Sequence, residues 1–338
     1  MENLGNILVT GGAGFMGSDF IRLLLEEIDY PGLVVNYDLL TYAANLDALK
    51  SVENHPRYLF ERGDILDRES VLRLLQKYHI KTIVHFAAES HVDRSINEPG
   101  VFVGTNVLGT EVLLEAALSI GNIYIHHIST DEVYGQLRKK GAFTESSPYR
   151  PRSPYSASKA ASDHLVAAAG ITYGLEYSIS HSSNNFGPWQ NPEKLIPKTI
   201  YALLHEEPVP LYGTGQNIRE WLFVRDHSRG IWSILNAKRK NTVWNLGGGI
   251  EMTNLQVVET IIRVALKYTD HSYEELKKRV IFVPDRPGHD FRYAINMTKI
   301  RKELGFMPRI SFEEGIEQTF TWYHNVVSKE KNCLHHPC

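Results

Sequence analysis

The sequence predicts an α/β protein: a Rossmann-like, doubly wound parallel sheet with a smaller C-terminal α/β substrate domain. Three observations carry that expectation. Strand-like apolar runs alternate with helix-periodic runs through the first half, as βαβ units require. The first strand runs straight into a loop with Gly11, Gly14 and Gly17 at three-residue spacing, and a helix follows. The second strand ends on Asp38, at the roughly 20-residue spacing at which an acid meets a nucleotide ribose.

In chain order, "NILVTGG" reads as a strand, "SDFIRLLLEEI" as a helix and "LVVNYDL" as a strand. "RESVLRLLQKY" is helical, "TIVHFAA" a strand, "NVLGTEVLLEAALSI" helical and "IYIHHIS" a strand. Beyond about residue 178 the pattern breaks up. "NNFGPWQNPEKLIPK" reads as loop, "IRVALKYTDHSYEELKKRV" as one helical stretch, and "DRPGHDFRYAI" as a Pro/Gly loop leading into a strand. The expected domains are a cofactor-binding unit over 1–178, with a return segment near 225–250, and a substrate unit over 179–330. A tail, expected to be flexible, occupies 331–338.

The 338 residues are 43% hydrophobic and 22% charged, an ordinary globular balance. A formal charge of −3 offers no basic excess for nucleic acid. The two cysteines, Cys333 and Cys338, fall at the very end. That excludes a disulfide framework and fits a reducing compartment. The N-terminus opens into a strand without a signal-peptide pattern. No apolar run is expected to reach the length of a membrane span. These readings together imply a soluble cytoplasmic protein.

The glycines have separate tasks: one permits the tight turn, one lets backbone approach a pyrophosphate, one allows close helix–strand packing. The helix start offers free N–H groups to phosphate. Leu39 and Leu40 beside Asp38 are not basic, so the loop suits NAD rather than NADP. Tyr155 and Lys159 stand four residues apart in "PYSASKAASDHL" and share a helix face. A neighbouring ammonium is expected to lower the phenol's pKa so that it can take an alcohol proton. Ser129 or Thr130 could add a hydroxyl donor. Asp131 and Glu132, in "STDEVYG", place two carboxyls at or just past a strand end, where α/β enzymes keep their chemistry.

The chain resembles the extended short-chain dehydrogenase/reductases, and within them the nucleotide-sugar 4,6-dehydratases of the dTDP-glucose type, from about residue 6 to about residue 326. The resemblance rests on "TGGAGFMGS", "LTYAANL", "HFAAESHVDRSI", "STDEVYG", "YSASKAASD", "SSNNFGPWQNPEKLIP", "LYGTGQNIREWLFV" and "DRPGHDFRYAI". It implies C4 oxidation by Tyr155 and bound NAD, elimination of water across C5 and C6 with Glu132 as base and Asp131 as acid, and hydride return to C6. It places Phe15 and Met16 in the pyrophosphate loop, Asp38 to Thr41 by the adenosine ribose, and Asp64 with Ile65 by adenine. Phe86, Ala87, Ala88, Ser90, Thr105 and Asn185 then meet the cofactor. Ser90, Thr130 and Asn184 meet the sugar. Lys194, Leu195, Pro210, Leu211, Tyr212, Arg219 and Asn254 meet the nucleotide diphosphate. Asp285, Arg286 and His289 are expected to close over the nucleotide, with Tyr293 beside them. Independently, Arg219, Lys194 and Arg286 suit a diphosphate, and Tyr212 offers a face for a base.

The chain departs from the resembled pattern at His181 and Ser182, where Arg-Cys is common, and these could reshape the sugar pocket. His181 is expected to be a bonded core histidine rather than a catalytic one. Cys333, His335, His336 and Cys338 are metal-ligand types, but no metal site is expected from so cramped a tail. The adjacent acids argue against a simple 4-epimerase. Dehydratases acting on UDP- or CDP-linked sugars remain alternatives. An NAD-sensing regulator would be expected to have lost the tyrosine, lysine or acids. A homodimer is expected, from the apolar faces near 100–119 and 153–173.

Overall fold

The computed structural model describes residues 4–335 apart from 139, 238, 239 and 286, with side chains as far as 329. Arg286, His336 and Cys338 therefore lie outside the described residues, as do the side chains of Cys333 and His335.

Twelve strands are described. They are β1 (Asn6–Thr10), β2 (Val34–Asp38), β3 (Tyr58–Arg62), β4 (Ile80–His85), β5 (Tyr124–Thr130), β6 (Glu176–Ser182), β7 (Asn184–Phe186), β8 (Val209–Tyr212), β9 (Ile218–Phe223), β10 (Thr242–Leu246), β11 (Glu251–Thr253) and β12 (Val280–Val283). Seven form one sheet in the order β10-β6-β5-β4-β1-β2-β3, and every pairing in it is parallel. Continuous apolar strands such as β2, buried at all five positions, are what a sheet covered on both faces demands. One face packs Phe20, Leu24, Ile231 and Trp244, the other Val71, Leu113, Leu114 and Val166. The carboxyl ends of the strands come level, with Thr10 beside His85 and Thr130 beside Ser182. The order reverses at β1/β4, where such sheets open a crevice for ligand.

The second half adds a β11-β9-β7 sheet and a two-stranded β12-β8 ribbon, over a third cluster that includes Ile200, Trp221, Val257 and Phe320.

Several sequence expectations are corrected. "NNFGPWQNPEKLIPK" is not all loop: Asn184–Phe186 pairs with β9, and a helix starts at Leu195. Phe186 anchors the strand by packing on Trp221, Phe223 and Phe312. The helical stretch after residue 262 divides into Asn254–Ala265 and Tyr273–Lys278. The Ser272–Glu275 capping box starts the second piece and satisfies N–H groups that a continuous helix would bond internally. "DRPGHDFRYAI" does not end in a strand; Arg292 and Ile295 make isolated bridges only. Side chains take the backbone groups a ladder would use: Arg219 binds the Asp290 and Phe291 carbonyls, and Glu220 the Ile295 N–H. Strand β3 gave no sequence signal, because this edge strand is largely open to solvent. Finally, Pro99–Ile120 is a 22-residue helical run apolar enough to cross a membrane by length and composition. It lies against the sheet, with Phe102, Leu113, Leu114, Ala116 and Ala117 buried in the core.

Candidate active site

A cleft of about 890 Å³ opens along the carboxyl ends of the parallel strands and continues under the second half. Its first wall is the glycine loop. Gly11 sits at φ +67, and a Cβ there would meet the Ala87 backbone at 2.6 Å. A Cβ on Gly17 would meet the Gly11 carbonyl at 2.4 Å, so this glycine sets the helix against the strand. Gly14 caps the helix Phe15–Arg22 without any side-chain cap bond, leaving helix-end N–H groups and a positive dipole end for an anion.

Asp38 ends β2. Its Oδ2 accepts the Ala13 N–H at 2.9 Å and its Oδ1 the Leu40 N–H at 2.8 Å. Each oxygen keeps a lone pair for a hydroxyl. Burial pushes this carboxyl up, and the two backbone bonds oppose the shift. Phe15, Met16, Leu39, Thr41, Asp64, Ile65, Phe86, Ala87, Ala88, Ser90, Thr105 and Asn185 line the same half. Leu40 does not line it; its backbone takes φ +61 between Leu39 and Thr41, which do. On the cleft floor Ser183 Oγ, Asn184 Oδ1, Asn185 Oδ1 and Gln190 Oε1 are buried with no hydrogen-bond partner among the described residues, and buried polar atoms of this kind call for a ligand or solvent to bond. Helix end, ribose-seeking acid and orphaned acceptors fit a dinucleotide.

Strand β5 brings the acid pair to the cleft. Thr130 ends it, and a single turn of 3-10 helix, Asp131–Tyr134, follows. The Thr130 hydroxyl caps that turn through the Glu132 N–H at 3.2 Å. The turn parts the two acids. Glu132 lines the cleft, whereas Asp131 is 2% exposed and lies behind the wall. Asp131 Oδ2 has no partner, and Oδ1 is 3.4 Å from the Thr130 hydroxyl. Burial first, then the charges of Glu132 and Glu220, hold the Asp131 carboxyl well above the usual carboxylate range. Two adjacent residues of similar chemistry thus differ in burial, one on the wall and one behind it.

Tyr155 and Lys159 both line the cleft, on the helix Pro154–Tyr173. Pro154 at its first turn and the Ser153–Ser156 capping box fix its start beside the site. The expectation that the ammonium lowers the phenol is not met. Burial, then Glu132, push the Tyr155 phenol above its ordinary value, with a bond from Thr130 opposing. Lys159 Nζ instead donates to the Ile128 carbonyl at 2.8 Å and meets His127 Nε2 at 3.2 Å.

On the far side, Asn184, Lys194, Leu195, Pro210, Leu211, Tyr212, Arg219, Asn254 and His289 line the cleft. Three carbonyls, of Ile218, Asp290 and Phe291, hold the Arg219 guanidinium over the Tyr293 ring. Tyr293 is buried beneath it and bonded to Asp290, and Asp285 receives His289 Nδ1 at 2.6 Å. Neither Tyr293 nor Asp285 reaches the cleft wall. His181 is fully buried and bonded on both nitrogens, while Ser182 lines the cleft. Asn106, whose amide pins the Glu89 backbone from both sides at 2.8 and 3.0 Å, had no signal in the sequence. It lies in a π-helical turn, Val103–Leu108, and such turns often mark functional sites. Gln190, Trp221 and the His91, Val92 and Asp93 part of the wall were also unforeseen; their placement depends on long-range packing.

The seven-stranded parallel sheet, the glycine loop and a Tyr155–Lys159 pair beside a strand-end hydroxyl define an extended short-chain dehydrogenase/reductase. The family described as GDP-mannose 4,6 dehydratase matches residues 8–319, and the chain belongs to it. It is 48% identical to the dTDP-glucose 4,6-dehydratase of Haemophilus influenzae, over 94% of this chain and 97% of that one. The Escherichia coli dTDP-glucose 4,6-dehydratase is 43% identical over 94% and 93%. Among solved structures, the Streptomyces venezuelae dTDP-glucose 4,6-dehydratase with NAD bound superposes with a TM-score of 0.90 at 45% identity, over 96% and 98%. A Thermotoga maritima UDP-glucose 4-epimerase superposes at 0.85 and 28% identity, over 95% and 99%.

Proposed function

We propose that the chain is an NAD-dependent hydro-lyase that converts dTDP-glucose to dTDP-4-keto-6-deoxyglucose and water. The observation that carries this reading is the division of the acid pair: Glu132 on the wall, Asp131 buried and held protonated behind it.

NAD, when bound, supplies a reversible acceptor for the C4 hydrogen and returns it at C6. The helix end at Gly14, Asp38 and the polar floor would hold it. Tyr155 takes the proton of the C4 hydroxyl, oriented by Thr130. Once C4 is a ketone, the C5 hydrogen is acidic, and Glu132 removes it, to give the proton back to C5 when hydride reaches C6. Asp131, the protonated partner of the pair, supplies the proton with which the C6 hydroxyl leaves as water. Two carboxyls whose surroundings separate their pKa values can act as acid and base together. Arg219, held open as a fork by backbone carbonyls, is the diphosphate clamp, with Lys194 beside it and Tyr212 under the base. Residues 1–178 with a return near 225–250 form the cofactor unit, and 179–330 the substrate unit.

The experiment is product analysis by mass and NMR after incubation with dTDP-, UDP-, CDP- and GDP-glucose. A 4-keto-6-deoxy product from dTDP-glucose, fastest of the four, is expected. A C4 epimer without loss of water would favour the epimerase reading.

We also propose a cytoplasmic homodimer. Val101, Val103, Leu108, Ile171 and Tyr173 are exposed apolar residues on the helices Pro99–Ile120 and Pro154–Tyr173, as an isologous interface requires. Sedimentation at micromolar concentration should give a dimer.

A further inference from the structure

Behind the Tyr155–Lys159 pair lies a buried polar network that the reaction described above does not use. Asp163 is one helical turn beyond Lys159 on the same helix and is 1% exposed. Its Oδ2 accepts the Ser129 hydroxyl at 2.9 Å and faces His181 Nε2 at 2.9 Å. Its Oδ1 is 3.4 Å from His127 Nε2. The same His127 nitrogen is 3.2 Å from Lys159 Nζ. The imidazole edge therefore touches both the ammonium and the carboxylate. His181 is held in turn by Tyr134 at its Nδ1, 2.7 Å, and by Tyr149 at its Nε2, 2.8 Å.

A buried charge is costly unless it is paired and hydrogen-bonded. Ser129 and His181 bond only Oδ2; among the described residues Oδ1 is buried without a hydrogen-bond partner, and the nearby cation it can balance is the lysine of the site. We propose that Asp163 is a positioning residue for the reaction, the buried counter-charge that keeps Lys159 protonated, acting across the His127 ring. The inference rests on the assignment of Tyr155 and Lys159 as the proton-handling pair.

The electrostatics agree. Hydrogen bonds from His127 and His181 outweigh burial and hold Asp163 far below the usual carboxylate range. Burial first, then the Lys159 charge, bring His127 down to about 4, so at neutral pH its ring is uncharged. Burial lowers Lys159 to about 8, and Asp163 is the charge that opposes the fall. The titratable groups facing this lysine are His85 on β4, His127 on β5 and Asp163 on its own helix, with Tyr155 one turn earlier on that helix and His181 on β6 behind Asp163. Of these, Asp163 is the anion. Without it, desolvation would drive Lys159 toward its neutral form, and the site would lose its cation.

The test is nitrogen NMR of lysine-labelled protein, followed over pH without sugar, together with the pH profile of turnover. In the wild type Lys159 should be charged at neutral pH; a Lys159 already neutral at pH 7 overturns the proposal by itself, whatever becomes of the variants. In Asp163→Asn the Lys159 titration and the alkaline limb of kcat/KM should both move down by about one pH unit or more, and Asp163→Glu should restore part of the shift. An Asp163→Asn protein that is folded and slower, but titrates and profiles like the wild type, overturns it and leaves Asp163 a packing residue. The NMR readout does not depend on which sugar is turned over. It can therefore fail while the dehydratase reading stands, and the reverse is equally observable.

Discussion

The two halves of the cleft solve one problem, holding a diphosphate, with different parts. The cofactor half is regular: a strand, three glycines and an uncapped helix end present backbone N–H groups. The nucleotide half is irregular: a guanidinium is clamped by carbonyls of a segment that makes only isolated bridges. In the first, the backbone binds and side chains must be absent. In the second, a side chain binds and the backbone holds it. Loss of function should therefore follow opposite rules in the two halves, through added atoms in one and removed atoms in the other.

The largest effect is expected in the cofactor half. Gly17→Ala puts a methyl 2.4 Å from the Gly11 carbonyl, so helix and strand must part. Overpacking of this kind costs about 1–3 kcal/mol. A lower Tm and loss of co-purifying NAD should appear together. Gly14→Ala sharpens the point. Its methyl would meet only the Gly11 carbonyl, at 3.2 Å, so thermal stability should hold while NAD retention falls. Stability lost equally in both variants would contradict the separate tasks given to these glycines.

In the nucleotide half, Arg219→Lys keeps the charge but loses the fork that meets three carbonyls at once. Hydrogen bonds to charged groups contribute about 1.5–3 kcal/mol, so KM for the nucleotide sugar should rise roughly 10- to 100-fold. Bound NAD should be unaffected. A parallel loss of NAD would mean that the two halves are not independent.

The sequence made the regular half legible and the irregular half only by resemblance. Gly11, Gly14, Gly17 and Asp38 could be read from spacing because strand, turn and helix are local. The site's electrostatics were not legible. That Asp131 points behind the wall and Glu132 onto it depends on one 3-10 turn and on Glu220, which is distant in sequence. The lowering of Tyr155 by Lys159 was expected from a pair on one helix face, yet desolvation and the neighbouring carboxylates prevail. Asn106 and Asp163 were missed because a polar residue inside an apolar helix reads as a solvated face until the fold buries it.

The smallest effect concerns stability against pH. Asp131 is raised in the folded protein, so between its unfolded value near 4 and its higher folded value the folded state holds the extra proton. Its contribution is present at acid pH and is lost as pH rises through the folded pKa. Asp131→Asn removes that loss. The variant's Tm relative to wild type should rise with pH across this window, even as its activity falls. A difference in Tm that is flat with pH would mean that Asp131 is not protonated in the folded protein.

The central claim is that burial divides adjacent carboxyls into an acid and a base, with Tyr155 serving a separate, earlier step. Rapid mixing of substrate with Tyr155→Phe, Asp131→Asn and Glu132→Gln, followed by the near-ultraviolet absorbance of reduced cofactor, tests it most directly. General acid–base catalysis contributes about 10²–10⁴-fold, so both acid variants should slow elimination by that order while oxidation proceeds. Reduced cofactor should build up most in Glu132→Gln, where the C5 proton has no acceptor, and none should form in Tyr155→Phe. Wild-type rates of dehydration in both acid variants would contradict the account and leave Asp131 and Glu132 an ordinary strand-end pair.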